Sequence, residues 1–564
     1  MPGIGHITRS RFRRGVASIG AVALTAGLAS CAAPAGSPQD SVTGGAAGAT
    51  GAGRGLVIAM PSDLGGYSPL NGEGQYGQSL LYDGLLAMRS DGSEAPPELV
   101  PALAAEAPAS DAGATTWTVK VRSGVSFSDG SPLTSADVKA TFDAVLDPAK
   151  ASEIRSYFDM IERVEAPDPE TVVFRLRYPY AEFPSRLLLS IAPASKVSQG
   201  TAADQSLNTA PVGTGPYRLT ELRPDRAVFD ANPDYFGAPS GVDGPARVTH
   251  VLMPDDNSRA QRVQAGEIDG TVLPPRLAES VAGAGGFELR VAHTVDFRGI
   301  ALPRTPFTED VRVRKAINQA VDRQAVVDGI LGGRGAVTST PIPQSAGDAF
   351  EPTATFTYDV AGANAALDAA GWPVGSDGVR ARQGQRATLP IMYNASDTVR
   401  GQVGTAFAAD MRKIGVEVTL QGGTWDVIEK ALPGSGYVQG GGSYPMSWDA
   451  LAYDELHHRL PDASSPYNNP ANFGSPESDA ALDSARRELD PQKRAQLYRA
   501  AQRAYVEAPT AVFIAFAHHT YVQRAGAQSG VKTPNSTSEL VLEPHVHSST
   551  WGPWWNLGRT EAAR

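Results

Sequence analysis

The sequence predicts an α/β fold divided into more than one lobe. Short apolar or alternating strands follow capped helices along most of the chain, an order that suits sheets covered by helices on both faces. About 530 residues remain beyond an N-terminal leader, more than one ordinary hydrophobic core organises. No period of about 20–50 residues recurs, which excludes a solenoid.

The leader reads as an export signal. Arg9, Arg11, Arg13 and Arg14 form a positive segment, and Gly15 to Ala29 is apolar but shorter than the roughly 20 residues a membrane span needs. Leu28-Ala29-Ser30-Cys31 matches a bacterial lipobox, in which cleavage before the cysteine leaves it to carry diacylglycerol. Cys31 is the single cysteine of 564 residues, so no disulfide forms within the chain and stability rests on burial. The expected protein is extracytoplasmic, lipid-anchored to the cell membrane, with residues 1–30 as signal peptide. Residues 31–54, rich in Gly, Ala and Ser, have too little apolar surface to offset ordering entropy and read as a flexible tether.

A hydrophobic share of 41 % against 19 % charged is the balance of a globular protein. The formal charge is −11, and the first thirty residues hold four arginines and no acids, leaving the remainder at about −15. Such a surface argues against nucleic acid, whose phosphates need Lys and Arg.

Each element follows from its residues. Leu56-Val57-Ile58-Ala59 is a short apolar strand, and Trp117 to Val121 alternates as a half-buried one. Thr134, with Asp137 three residues on, caps a helix that carries Val138, Phe142 and Val145 on one face. Asp310 caps a helix through Val313, Ile317, Ala320 and Val321. Ala363–Ala370 is stopped by Gly371, and a helix through Val403, Phe407 and Met411 stops at Gly415 before the alternating strand Val416–Leu420. Asp490-Pro491 starts a long helix through Leu497, Tyr498 and Tyr505, and the apolar strand Ala511–Phe516 follows it.

Five segments in order resemble the extracytoplasmic solute-binding proteins of the dipeptide/oligopeptide/nickel family of ABC importers. They are Val121 to Val138, with its Asp129-Gly130-Ser131-Pro132 turn; Pro211-Val212-Gly213-Thr214-Gly215-Pro216-Tyr217; Asn232-Pro233-Asp234-Tyr235-Phe236-Gly237; Val311 to Leu331; and Tyr358 to Trp372. A phosphate-loop reading of Gly213-Thr214-Gly215 conflicts with Pro216 and the strand that follows. The resemblance implies a two-lobed, periplasmic-binding-protein-like clamshell with an additional subdomain inserted in the first lobe. Mapped here, lobe I is 55–96, 205–292 and 522–564, the insertion is 97–204, and lobe II is 293–521. Hinge crossovers are expected near His293-Thr294-Val295 and Thr520-Tyr521. The implied function is capture of a peptide or peptide-like solute between the lobes by a monomer, which delivers it to ABC permease subunits with cytoplasmic ATPases. No cofactor is expected and no catalysis.

The resemblance also marks ligand-facing residues. A tryptophan followed closely by an acid holds a peptide ammonium in the family; here Trp448, Asp449, Tyr453 and Asp454 occupy that stretch, at a departing spacing. Gln75 and Tyr76 offer donors and an aromatic face from lobe I, or merely form an irregular turn. Phe297 and Arg298 begin the first strand beyond the hinge, where Arg298 reads as a carboxylate anchor or a salt-bridge partner. Trp425, in a Gly-rich loop, is a further candidate or a core residue.

Metal-chelate binding is the alternative, with His457 or His458 as the family's histidine beyond the tryptophan, or else a solvated pair. His518 and His519 point to opposite faces of a strand and chelate poorly together, whereas His545 and His547 share a face. An envelope scaffold and a secreted hydrolase are the remaining classes. The hydrolase lacks a Gly-x-Ser-x-Gly, Ser-x-x-Lys or His-Glu-x-x-His motif.

Overall fold

The chain passes from one β-sheet to a second and back, and those two passages divide the molecule. The computed structural model describes residues 55–61, 64–89, 98–152, 154–238, 242, 244–441, 452–453, 455–458, 466–526, 539–543, 554 and 557. The first lobe is built on an eight-stranded sheet in the order Glu539–Glu543, Phe287–Thr294, His519–Arg524, Gly270–Val272, Leu56–Met60, Arg247–Leu252, Arg226–Ala231, Tyr217–Arg223. The second is built on a six-stranded sheet in the order Gly335–Val337, Ala511–Ala517, Phe297–Ala301, Gly436–Gly441, Thr388–Asn394, Glu417–Gly423. A four-stranded antiparallel sheet (Ala109–Ser110, Thr116–Lys120, Thr171–Leu176, Ile161–Asp168) forms an additional subdomain on the first lobe.

The passages lie at Val295-Asp296 and at His518, so Thr294 and His519 to Tyr521 sit in the first sheet. Backbone and side chain tie them directly. Ala517 N–H donates to Asp296 O at 2.8 Å and the Thr294 hydroxyl to Ala517 O at 2.7 Å. The rings of His293 and His518 stack across the junction at 4.1 Å.

Hydrophobic packing respects the division. One buried cluster joins the first sheet (Ile58, Tyr217, Phe229) to the inserted subdomain (Trp117, Phe142, Phe174, Leu188), so these form one body. Two others, around Ile317, Trp372 and Phe407 and around Phe297, Tyr498 and Phe513, stay within the second lobe. Among the described residues no buried apolar cluster spans both lobes. The two can therefore part without opening a core.

Local signals explain the elements. The Asp137 carboxylate accepts from the Thr134 amide at 2.9 Å and hydroxyl at 3.0 Å, starting the helix Ser135–Leu146. Asp490 accepts from Gln492 and Lys493 N–H at the start of Pro491–Glu507. One expectation needs correction. The stretch after Asp310 is two helices, Val311–Gln319 and Arg323–Gly329, because Asp322 accepts from Ala325 N–H and caps a second start. The buried guanidinium of Arg323 then donates to the carbonyls of Asn318, Thr338 and Phe513 and to the Asn318 side chain. This bolts the break to the second sheet.

The Gly213-Thr214-Gly215 loop has a packing role. A Cβ on Gly213 would lie 2.2 Å from Leu81 O, and one on Gly215 2.4 Å from Leu81 C, so only glycine lets this loop close on residues 80–82. Asn232 donates to Gly215 O, and Asp83 accepts from Thr214 and Tyr235. Two of the five recognised segments thus lock each other.

Glu351 joins the segment 344–356 to the long helix Pro491–Glu507 through Arg499 and Arg503. Burial alone raises its carboxyl; hydrogen bonds from Thr353 and those two arginines outweigh this and bring it to about 2. A lowered folded pKa gives stability present above the ordinary carboxyl value of 4.5 and lost as pH falls through about 2. Glu351→Gln is expected to cost about 1–3 kcal/mol at neutral pH, in line with lost charged hydrogen bonds. Thermal unfolding from neutral pH to roughly pH 2.5 should show the wild type–variant gap narrowing; a constant gap refutes the assignment.

Candidate functional site

Strand ends from both sheets meet at a cleft of about 310 Å³ beside the passages. The first lobe contributes Pro61, Asp256, Arg259, the run Val272 to Pro275 and His519; the second contributes Arg298, Asn394, the run Ser396 to Arg400 and Trp425; Asp296 and His518 come from the passages themselves. The volume lies at the lower end of small-molecule sites.

Charge in this cleft is organised around Asp296, which is fully buried. Its Oδ1 accepts from Arg298 Nη1 at 2.5 Å and its Oδ2 meets His519 Nε2 at 2.9 Å. Tyr521 OH lies 3.3 Å from His519 Nδ1. Burial on its own would lower the Arg298 pKa, but Asp296 and Asp397 overcome this and raise it, so the guanidinium stays charged. Its Nε is buried without a hydrogen bond and so retains a donor. Burial, with His293, His519 and Arg334 nearby, pushes His518 down to about 4 and keeps it neutral at pH 7.

A second guanidinium stands beside the first. Arg400, in the first turn of the helix Thr398–Lys413, donates to Asp397 Oδ2 at 3.0 Å and to Val438 O at 2.9 Å. Gly440 separates the two: a Cβ there would meet Arg298 Nη1 at 2.6 Å and Arg400 Nη2 at 2.9 Å. Arg400 also lies 5.1 Å over the Trp425 ring, which Tyr437 and Tyr467 brace edge-on. With Asp256–Arg259, the cleft holds three carboxylate–guanidinium pairs. Such a lining favours a polar ligand with charges of both signs.

Of the residues expected from sequence, Arg298 and Trp425 line this cleft. Phe297 does not; its ring is 1 % exposed and packs edge-on to Phe513, because alternate residues of the strand face opposite sides. Gln75 and Tyr76 lie elsewhere, in a turn against Ile154 and Ser190 of the inserted subdomain, with Tyr76 buried. Tyr453 is half-buried, its OH donated to Asp483 and its ring between His457 at 4.2 Å and the Arg486 guanidinium at 3.6 Å. His457 Nδ1 meets His458 O, and His458 Nδ1 meets Asp479 at 2.6 Å. Among the described residues no group of three or more His, Cys, Asp or Glu is arranged to hold a metal ion. Cys31, Trp448, Asp449, Asp454, His545 and His547 lie outside the described residues.

Asp296, Arg400 and Asp397 escaped the sequence reading, which weighed His519 only as a metal ligand. The Asp-x-x-Arg spacing of a capped first turn and the acid two residues before Arg298 were the available signals.

A profile of the bacterial extracellular solute-binding proteins, family 5 (middle), matches residues 98–479. The chain belongs to this family. It is a solute-binding component of ABC importers of the peptide/nickel type, an extracytoplasmic binding protein and not an enzyme. Protein XP55 of Streptomyces lividans is 40 % identical over 504 residues, 89 % of each chain. Two solved structures share the fold at 22 % identity. NikZ of Campylobacter jejuni, solved with Ni(L-His), has a TM-score of 0.77, covering 89 % of this chain and 99 % of its own. AppA of Bacillus subtilis, solved with a nonapeptide, has a TM-score of 0.72 over 84 % and 96 %. No helix among the described residues is long and apolar enough to cross a membrane.

Removing Asp296 leaves Arg298 buried without its counter-charge. Asp296→Ala is expected to cost about 3–5 kcal/mol, and adding Arg298→Met should recover much of it. Chemical denaturation of the single and double variants checks this; an additive double variant refutes the coupling.

Proposed function

We propose that this protein is the lipid-anchored receptor of an ABC importer that captures a short peptide or peptide-like solute and hands it to the permease. The observation that carries the reading is the pair Arg298 and Arg400, both lining the cleft and held on either side of Gly440. Two adjacent guanidiniums suit a terminal carboxylate, and the neighbouring acids Asp256 and Asp397 suit an ammonium. AppA, whose fold it shares, was solved with a peptide.

Capture works by population shift. A solute that touches residues of both lobes binds the shut form more tightly than the parted one, and the shut form is what a permease distinguishes. The lipid on Cys31 keeps the receptor at the membrane surface, and a monomer suffices. The likeness to NikZ with Ni(L-His) favours a second reading, an amino-acid metal chelate, whose carboxylates would use the same arginines.

Thermal shift with defined di- to tetrapeptides is the test. A peptide at about 100-fold its Kd should stabilise the protein by about 2.7 kcal/mol. Arg298→Ala or Arg400→Ala should weaken it by about 1.5–3 kcal/mol, roughly ten- to a hundred-fold. Stabilisation by nickel–histidine and by no peptide would move the assignment to the chelate.

A further inference from the structure

The inserted subdomain and the second lobe meet along a rim of opposite charge. The second lobe supplies Arg486 and Arg487 at the end of the helix Pro476–Arg487, and Arg494 and Tyr498 on the helix Pro491–Glu507. The inserted subdomain supplies Asp159, Tyr178 and Glu182. Asp159 accepts from Arg486 Nη1 at 3.2 Å and from Tyr178 OH at 3.2 Å. Glu182 accepts from Arg494 Nε at 3.2 Å through one oxygen and from Tyr498 OH at 3.3 Å through the other. Arg487 lies 5.3 Å over the Tyr178 ring.

These contacts are placed to act on opening. Each joins bodies that share no buried apolar cluster. Arg494 and Glu182 are 16 % and 20 % exposed, so their attraction is screened less than that of a free surface pair, whereas Arg486, 10 % exposed, faces an Asp159 that is 38 % exposed. Arg486 is also held in place by the Tyr453 ring beneath it, which lowers the entropy lost on pairing. In the two pairs that cross, the acids belong to the inserted subdomain and the arginines to the second lobe, while Arg177 donates to the Asp159 carbonyl within the subdomain and Asp483 accepts from Tyr453 within the second lobe.

We propose that this rim is an electrostatic latch: Asp159 and Glu182 of the inserted subdomain engage Arg486 and Arg494 and hold the two lobes together before any solute is bound. The receptor then samples its shut form unaided, and the position of that equilibrium depends on ionic strength. The latch requires no particular solute and stands apart from the peptide reading.

Single-molecule energy transfer on ligand-free protein tests it. Dyes go on introduced surface cysteines, one on each side of the rim, in a Cys31→Ser background. Wild type should show a shut population at low salt that falls about three- to tenfold at roughly 1 M NaCl. Asp159→Asn with Glu182→Gln should lower that population at low salt and remove its salt response. Exchanging the charges, Glu182→Arg with Arg494→Glu, should restore both. A wild-type shut population indifferent to salt, or a folded neutral variant as shut as wild type, overturns the latch. Should the neutral variant fail to fold, the wild-type salt titration alone decides.

Discussion

A buried carboxylate organises this molecule. Asp296 has no solvent exposure and sits where the chain leaves the first sheet for the second. An isolated charge there would be untenable, so it must be matched. One partner, His519, lies just beyond the return passage, and the other, Arg298, faces the cleft. The same carboxylate therefore ties the two passages to each other and fixes a guanidinium that lines the cleft. The passages and the cleft share one electrostatic centre, so any charge that enters the cleft comes next to the segments that join the two sheets.

Polar and apolar forces divide the work. Apolar burial stays inside each lobe, giving each body its own core. What crosses between them is hydrogen-bonded or ionic: Thr398 to Asp256, Arg334 to Glu279 and Arg276 to Gly329 O. Such contacts exchange readily with water and cost little to break. An extended apolar seam would have fused the lobes, and one without any contact would have left the shut form to the ligand alone.

The architecture was legible in local chemistry. Capping residues such as Thr134 and Asp490 and the left-handed stops Gly371 and Gly415 act within one turn, so sequence displays them directly. Asp322 carried the same kind of signal, but the apolar period runs through it and masks the second start. The site was harder to read. Asp296, Arg400, Gly440 and His519 converge from four separate strands and helix starts, and nothing local records their meeting. Phe297 and Arg298 show the limit: their strand is buried on both faces, so its composition does not say which residue turns toward the cleft.

The order of strands in the first sheet has a consequence for how the chain acquires its shape. His519–Arg524 lies between Phe287–Thr294 and Gly270–Val272 and pairs with both. Until it is in place, Phe287–Thr294, whose other neighbour is the edge strand Glu539–Glu543, has no connection to the remaining strands of the sheet. The strand arrives only after the whole second lobe, whose six strands all fall between residues 297 and 517, has been made. The second lobe can thus fold from contiguous chain, while the first must keep a gap in its middle and wait for the most distant pairing in the molecule. Long-range closure of this kind is slow and exposes strand edges meanwhile. The first lobe is the part most exposed to misassembly during synthesis and export, and truncation anywhere before residue 519 removes its central seam.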